Sequence, residues 1–156
     1  MKPKVYLETT IVSYLVASPT RDIVQSAHQQ ITREWWTRRG RFDLFVARPV
    51  LTEAARGDAA AAARRLNALA GIPVLAVSAG VRTIANTLVR TGTLPTKARL
   101  DAIHVAIAAV NGMDYLLTWN LRHLANAAIR GKIEEACRNA GMQAPAICTP
   151  EELMEA

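Results

Sequence analysis

Cysteine is scarce in this chain of 156 residues, and its two cysteines, Cys137 and Cys148, do not form a CxxC pair. This excludes a disulfide framework, so a reducing, cytoplasmic environment is expected. No run of apolar residues approaches the ~20 that a membrane span requires. Glu8 interrupts the one N-terminal apolar run that would otherwise resemble a signal peptide. We therefore expect a soluble intracellular protein.

Acidic residues are outnumbered by basic ones, 13 Asp and Glu against 19 Lys and Arg, which gives a formal charge of +6. The excess favours an acidic partner, either nucleic acid or an acidic protein. The chain also lacks a GxSxG nucleophile motif and a glycine-rich phosphate loop. With 51% hydrophobic and 21% charged residues, the composition is ordinary for a globular protein. The length predicts a single domain over residues 1–156.

Short apolar strands alternate with helices along the chain. The predicted strands cover residues 5–7, 44–47, 74–77, 115–117 and 146–148. The predicted helices cover residues 11–16, 23–39, 50–56, 59–70, 79–91, 97–111, 122–126 and 128–140. Strands that alternate with helices predict an α/β fold, in which a parallel sheet is covered by helices on both faces. Residues 115–117 have no polar alternation, which is typical of a central strand.

One carboxylate interrupts an otherwise apolar helix. Asp101 lies in the helix predicted for residues 97–111, which Thr96 caps and Gly112 ends. Apolar residues lie on two sides of this helix, so it is expected to pack between layers. A carboxylate in such surroundings is costly unless it is hydrogen-bonded, paired or bound to a cation.

Three further polar side chains are expected near Asp101. Glu8 follows the first strand, Glu53 lies at the start of the helix after the second strand, and Asn120 follows the strand at 115–117. Sites in parallel sheets lie at the carboxyl ends of the strands, so these four side chains are predicted to meet at one edge.

A cluster of oxygen ligands selects a hard divalent ion such as Mg²⁺ or Mn²⁺. Such an ion polarises phosphoryl oxygens and acidifies a bound water, so phosphodiester hydrolysis is the natural reaction. Basic residues expected near the same edge could hold a phosphate backbone. These residues are Lys97, Arg99, Arg122 and Arg48.

The ordered motifs resemble the PIN domain family, with toxin nucleases of the VapC type as the nearest class. The likeness covers residues 5–13, 49–53, 100–108 and 115–120. These segments contain a strand ending in acid-Thr-Thr, a helical Glu, a D-A-x-x-x-A helix and a strand ending in T-x-N. The resemblance implies a three-layer sandwich with about five parallel strands and Mg²⁺- or Mn²⁺-dependent cleavage of RNA. It also implies frequent dimerisation and, for a toxin of a type II toxin–antitoxin pair, a small antitoxin protein.

Carried over by motif, the family's four acidic positions fall on Glu8, Glu53, Asp101 and Asn120, which are the predicted metal and catalytic residues. Thr118 takes the place of the hydroxyl residue two before the fourth position, and Thr9 that of the one after the first. Glu replaces the usual Asp at the first position, and Asn at the fourth brings no charge. Both departures weaken the case for a second metal and leave open a slow or inactive nuclease.

Other interpretations fit single residues: Glu8 suits an N-cap carboxylate held by the amides of the first helix, and Glu53 an ordinary acid on a helix surface. Asn120 is as suited to capping the following turn as to touching a metal, and His104 fits a hydrogen-bonded interior histidine better than a ligand. Trp36, with the arginines around it, fits a solvated basic face better than a base-stacking surface. For the whole chain, the alternatives are a catalytically degenerate PIN-like module that binds RNA or protein, and a small α/β domain phosphorylated on Asp. The latter is disfavoured because no Asp ends a strand.

Overall fold

The computed structural model describes residues 1–155. Within this range five parallel strands form a sheet in the order β3-β2-β1-β4-β5. The strands are β1 (Lys4–Leu7), β2 (Asp43–Ala47), β3 (Val74–Leu75), β4 (Tyr115–Leu117) and β5 (Ala146–Cys148). The seven α-helices of residues 1–155 are α1 (Thr9–Val16), α2 (Ile23–Thr37), α3 (Arg48–Ala54), α4 (Ala59–Leu69), α5 (Ala79–Arg90), α6 (Arg99–Val110) and α7 (Ala127–Asn139). The α/β class expected from the sequence is confirmed.

The helices form two layers. From β1 to β3 the chain crosses the sheet in one direction, and it then returns past β1 to β4 and β5. Right-handed crossovers place the helices of these two directions on opposite faces. The contacts agree, because α1 packs against α2, α3 and α4, whereas α5 packs against α6 and α7. The molecule is therefore a three-layer sandwich.

Side-chain caps fix where several helices begin. Glu8 caps α1 by accepting from the Thr10 amide, and Asp22 caps α2 by accepting from the Gln25 amide. After α6, Gly112 adopts a left-handed φ of 67°, which ends the helix and turns the chain toward β4. Glu8 therefore lies directly between the end of β1 and the start of α1.

The core lies between the sheet and its two helical layers. Val5, Tyr6 and Leu7 of β1 are at most 1% exposed, and α6 buries seven of its residues. This burial matches the two-sided apolar pattern of α6. None of the helices in residues 1–155 has the length and hydrophobicity that a transmembrane span needs.

β1 is the middle strand, and β4 lies between β1 and β5, which agrees with the interior strand predicted for residues 115–117. Two local predictions need correction. Residues 122–126 form a turn rather than a helix, because the amides of Leu124 and Ala125 both donate to the carbonyl of Asn120 and helical bonding does not continue. The third strand was predicted for residues 74–77 but ends at Leu75. The carbonyl of Ala76 accepts a hydrogen bond from the side chain of Asn111 instead of from a neighbouring strand.

Candidate metal centre

Glu8 lies at the carboxyl end of the middle strand, and its side chain is held by one oxygen. Its amide still donates to the carbonyl of Leu117 on β4 at 3.1 Å. Its Oε1 accepts from the Thr10 hydroxyl at 2.5 Å, the Thr10 amide at 3.2 Å and the Thr118 hydroxyl at 2.7 Å. The residue is 4% exposed. Three donors on one oxygen offset the cost of burying this carboxylate.

Glu53 approaches the same place from α3. Its Oε1 accepts from the Thr9 hydroxyl at 2.8 Å and from Nε2 of His104 at 2.9 Å. Burial raises the pKa of Glu53, but the hydrogen bonds from His104 and Thr9, together with the electrostatic contributions of His104 and Arg56, outweigh it. The pKa therefore lies below its ordinary value, and Glu53 is ionised at neutral pH.

His104 joins the two helical layers. It is 1% exposed on α6, with Nε2 at Glu53 and Nδ1 2.7 Å from the hydroxyl of Tyr6. Burial, followed by the charges of Glu8 and Glu53, raises the pKa of Tyr6 well above its ordinary value, so the phenol keeps its proton. The sequence favoured a hydrogen-bonded interior histidine, and both ring nitrogens do have partners.

Glu8, Glu53 and His104 form a compact group in which one ligand atom from each residue lies within 4.8 Å of the others. The hydrogen bonds of both glutamates are made through Oε1. Within residues 1–155, neither Oε2 has a hydrogen-bond partner. Two adjacent carboxylates, each with one oxygen held and one unused, fit a divalent cation by charge and by ligand chemistry.

Asp101 and Asn120, although predicted as metal residues, lie outside the group of Glu8, Glu53 and His104 and bond to each other. Asn120 Nδ2 donates to Asp101 Oδ1 at 3.0 Å, and His123 Nδ1 is 3.3 Å from Asp101 Oδ2. Burial raises the pKa of Asp101, and the effects of its histidine and asparagine neighbours offset only part of this, so the pKa stays above its ordinary value. The carboxylate predicted to need a partner therefore has two.

The amide oxygen of Asn120 is used within its own turn. It accepts from the amides of Arg122 and His123 at 3.2 and 3.0 Å. This is the capping role that the sequence left open. Because both lone pairs of that oxygen have partners, Asn120 reaches Asp101 through its nitrogen.

Thr118 connects the two parts of the site. Its buried hydroxyl donates to Glu8 Oε1 at 2.7 Å and accepts from the Asn120 amide at 2.9 Å. Glu8, Asn120 and Asp101 are thus linked by hydrogen bonds at the carboxyl edge of the sheet, and Glu53 joins them through its group with Glu8 and His104. All four positions predicted from the sequence lie at this edge.

Three residues of this site were missed by the sequence reasoning. Tyr6 was predicted only as part of the apolar strand at residues 5–7. A buried tyrosine hydroxyl requires a hydrogen-bond partner, and His104 was a candidate for that partner. Thr10, two residues after the capping Glu8, is in the usual position for a local hydrogen bond. His123 had no sequence signal, because its place depends on the turn after Asn120.

The basic residues near the site differ in their partners from those near the end of α2. Arg48 follows β2, Lys97 precedes α6 and Arg122 lies in the turn after β4. All three are exposed, and within residues 1–155 none of them pairs with a carboxylate. Arg99 donates to Asn86 at 2.7 Å. The arginines near the end of α2 are used internally: Arg33 donates to carbonyls at the end of α1, Arg38 pairs with Glu34 and Glu155, and Arg39 covers the Trp36 ring at 4.6 Å.

A pocket of about 830 Å³ lies at the amino ends of β4 and β5. Met113, Asp114 and Ala146 are among its lining residues, and none of the four predicted site residues is. A scan against family models and a search of curated proteins both find no match to this chain.

Proposed function

We propose that this chain is a Mg²⁺- or Mn²⁺-dependent endoribonuclease of the PIN type, which hydrolyses phosphodiester bonds in RNA. The observation that supports it most is the pairing of Glu8 and Glu53 at the carboxyl edge of the sheet, each held by Oε1 with Oε2 unused. A pair of carboxylates of this kind, close to a partly buried Asp101, is stabilised by a cation. The ordered motifs that resemble the PIN family support the same reaction.

The residues have distinct roles in this proposal. Glu8 and Glu53 hold the cation, with Asp101 completing the acidic set. When bound, the cation supplies a Lewis acid for a phosphoryl oxygen and lowers the pKa of a water. Thr118 orients Glu8, and Asn120 orients Asp101 through its amide nitrogen. Arg48, Lys97 and Arg122 bind the phosphate backbone, which positions the scissile bond.

The proposed setting follows from the PIN resemblance. We propose a cytoplasmic toxin of a type II toxin–antitoxin pair, with a small antitoxin as its protein partner and a homodimer as a further assembly. Co-expression tests the setting: the chain alone should arrest bacterial growth, and a partner encoded beside it should restore growth.

Glu53→Gln tests the chemistry. Thr9 and His104 both donate to Glu53 Oε1, so the glutamine oxygen must stay there and its amide nitrogen takes the position of Oε2. A nitrogen that carries protons cannot ligate a cation, so Mn²⁺-dependent RNA cleavage should fall by at least ~100-fold, as expected for the loss of a direct ligand. Asp101→Ala should also abolish cleavage.

Glu34→Gln is the matched control, because Glu34 is an exposed acid of α2 that pairs with Arg38. It should cleave as the wild type does. Unchanged cleavage by Glu53→Gln in a folded protein contradicts the mechanism.

A catalytically degenerate PIN-like module that binds RNA or protein is the second candidate. The observation in its favour is that the Asn120 oxygen is already used by two backbone amides. Mn²⁺ separates the two, because a ligand that binds only the folded state raises its stability, by about 2.7 kcal/mol at 100 times the Kd. An active site gains this stability, and a degenerate site does not.

A further inference from the structure

A buried chain of hydrogen bonds reaches Glu53 from the middle of the sheet. It runs from the Tyr6 hydroxyl to His104 Nδ1 at 2.7 Å, and from His104 Nε2 to Glu53 Oε1 at 2.9 Å. Tyr6 is 0% and His104 1% exposed. These hydrogen bonds therefore connect β1, α6 and α3, and Glu53 is the first residue along them that solvent reaches.

The donors and acceptors give this chain a direction. The ionised carboxylate of Glu53 only accepts, so Nε2 of His104 must carry a proton. In the neutral ring, whose single proton is then on Nε2, Nδ1 accepts from the Tyr6 hydroxyl. The contact that one ring nitrogen makes selects which nitrogen is protonated, so Tyr6 favours the tautomer that donates to Glu53.

The consequence is that Glu53 is fixed from two sides. Thr9 of α1 and His104 of α6 donate to the same oxygen, Oε1. Two donors from opposite helical layers hold the plane of the carboxylate, and Oε2 is left without a partner within residues 1–155. His104 itself has no nitrogen to spare, because both already have partners.

We propose that Tyr6 and His104 are positioning residues, which orient Glu53 so that its Oε2 faces the cation. This rests on the proposed function, since it concerns the same site. His104 then acts through Glu53 and does not touch the metal. Residues that orient metal ligands in this way typically contribute 10- to 100-fold in metal affinity.

Two amide variants of His104 separate positioning from general packing. The amide of Gln reaches about as far as Nε2 and still donates to Glu53, whereas the amide of Asn reaches about as far as Nδ1 and contacts only Tyr6. The Kd for Mn²⁺ alone should rise at least ~10-fold in His104→Asn, and His104→Gln should recover most of the affinity. If both variants lose Mn²⁺ affinity equally, His104 acts only by stabilising the fold and the proposal is overturned.

Tyr6→Phe provides a second variant that keeps the core volume. It should weaken Mn²⁺ binding, by less than His104→Asn does. Tyr115→Phe is its control, because Tyr115 lies on the adjacent strand β4 and its hydroxyl makes no hydrogen bond within residues 1–155. An unchanged Mn²⁺ Kd in both Tyr6→Phe and His104→Asn overturns the role of the chain.

Spectroscopy tests the arrangement directly. Two-bond ¹H–¹⁵N spectra of the metal-free protein should show His104 protonated on Nε2, with Nδ1 as an acceptor. Electron spin-echo spectra of the Mn²⁺ protein should show no directly bound imidazole nitrogen, and such a nitrogen would make His104 a ligand and overturn the proposal. If the wild type does not bind Mn²⁺ at all, the proposed function fails and this proposal with it. If the wild type binds Mn²⁺ and the Tyr6 and His104 variants bind it equally well, only the positioning proposal is overturned.

Discussion

At the scale of single residues, the carboxylates of the site differ in how their burial is compensated. Glu53 receives two strong hydrogen bonds on one oxygen, and its pKa lies below its ordinary value. Asp101 is bonded by Asn120 and lies 3.3 Å from His123, and burial still keeps its pKa above its ordinary value. In the absence of metal, the ionised form of Glu53 is therefore favoured by folding, and that of Asp101 is disfavoured.

This difference predicts opposite effects of pH on stability. A raised folded-state pKa means that ionised Asp101 costs free energy above that pKa, and that the cost disappears as the pH falls toward the ordinary value of an aspartate. Asp101→Asn should therefore be more stable than the wild type at pH 7 in EDTA, with a gain that shrinks on acidification. Urea unfolding at several pH values measures this gain.

Glu53→Gln is the counterpart with the opposite sign. In the wild type, the lowered pKa of Glu53 contributes stability at any pH above the ordinary pKa of a glutamate. This contribution is lost as the pH falls through the folded-state pKa. The variant should therefore be less stable than the wild type at pH 7, with a difference that shrinks in acid. A gain in Asp101→Asn that is constant from pH 7 to pH 4 would show that burial does not raise the pKa of Asp101.

At the scale of elements, the glycines show how the same residue type serves two purposes. Gly112 has a left-handed φ of 67° after α6, whereas Gly131 lies inside α7 without a positive φ. A Cβ added at either position meets nothing within 4 Å. Only backbone conformation therefore separates the effects of alanine at the two positions.

Gly131→Ala should stabilise the protein by about 0.5–1 kcal/mol, because alanine favours helix and reduces the entropy of the unfolded chain. Gly112→Ala should destabilise it by about 1–2 kcal/mol, the cost of a left-handed conformation with a Cβ. Denaturant unfolding of both variants measures the difference. Stabilisation by alanine at position 112 would show that the end of α6 does not require this conformation.

At the scale of the whole molecule, some basic residues bond to other groups of the protein, whereas others form no ion pair. The formal charge is +6, but the arginines near the end of α2 bond to carboxylates, carbonyls or an aromatic ring. Arg48, Lys97 and Arg122, near the carboxyl edge of the sheet, form no ion pair within residues 1–155. The edge with the candidate metal centre therefore carries three exposed basic residues that no carboxylate within residues 1–155 pairs with.

This arrangement predicts which basic residues set the salt dependence of RNA binding. Replacing Arg48, Lys97 or Arg122 by glutamine should weaken binding of a single-stranded RNA in EDTA. The slope of log K against log salt should fall by about 0.7 for each phosphate that is no longer neutralised. Arg38→Gln, on the paired group, should leave the slope unchanged. Titrations monitored by anisotropy at several salt concentrations measure the slopes, and equal effects in both groups would argue against a defined RNA surface.

The sequence by itself determined the class of fold and the identity of the polar residues at the sheet edge. Apolar strands alternating with capped helices are local patterns, and parallel topology then brings residues after β1, β2 and β4 to one edge. Glu8 and Asp101 were identifiable from the end of the first strand and from the burial of an apolar helix, whereas only the resemblance to the PIN family separated Glu53 from an ordinary surface acid.

Only the tertiary structure decided how these residues are paired. That Glu53 bonds to His104, that Asp101 bonds to Asn120, and that Thr118 joins the two parts depends on side-chain directions across three layers. The turn after Asn120 was wrongly predicted as helical because its hydrogen bonds come from a side chain and an i+5 contact, which periodicity does not detect. Partners that lie 51 or 98 residues apart in the chain leave no local pattern in the sequence.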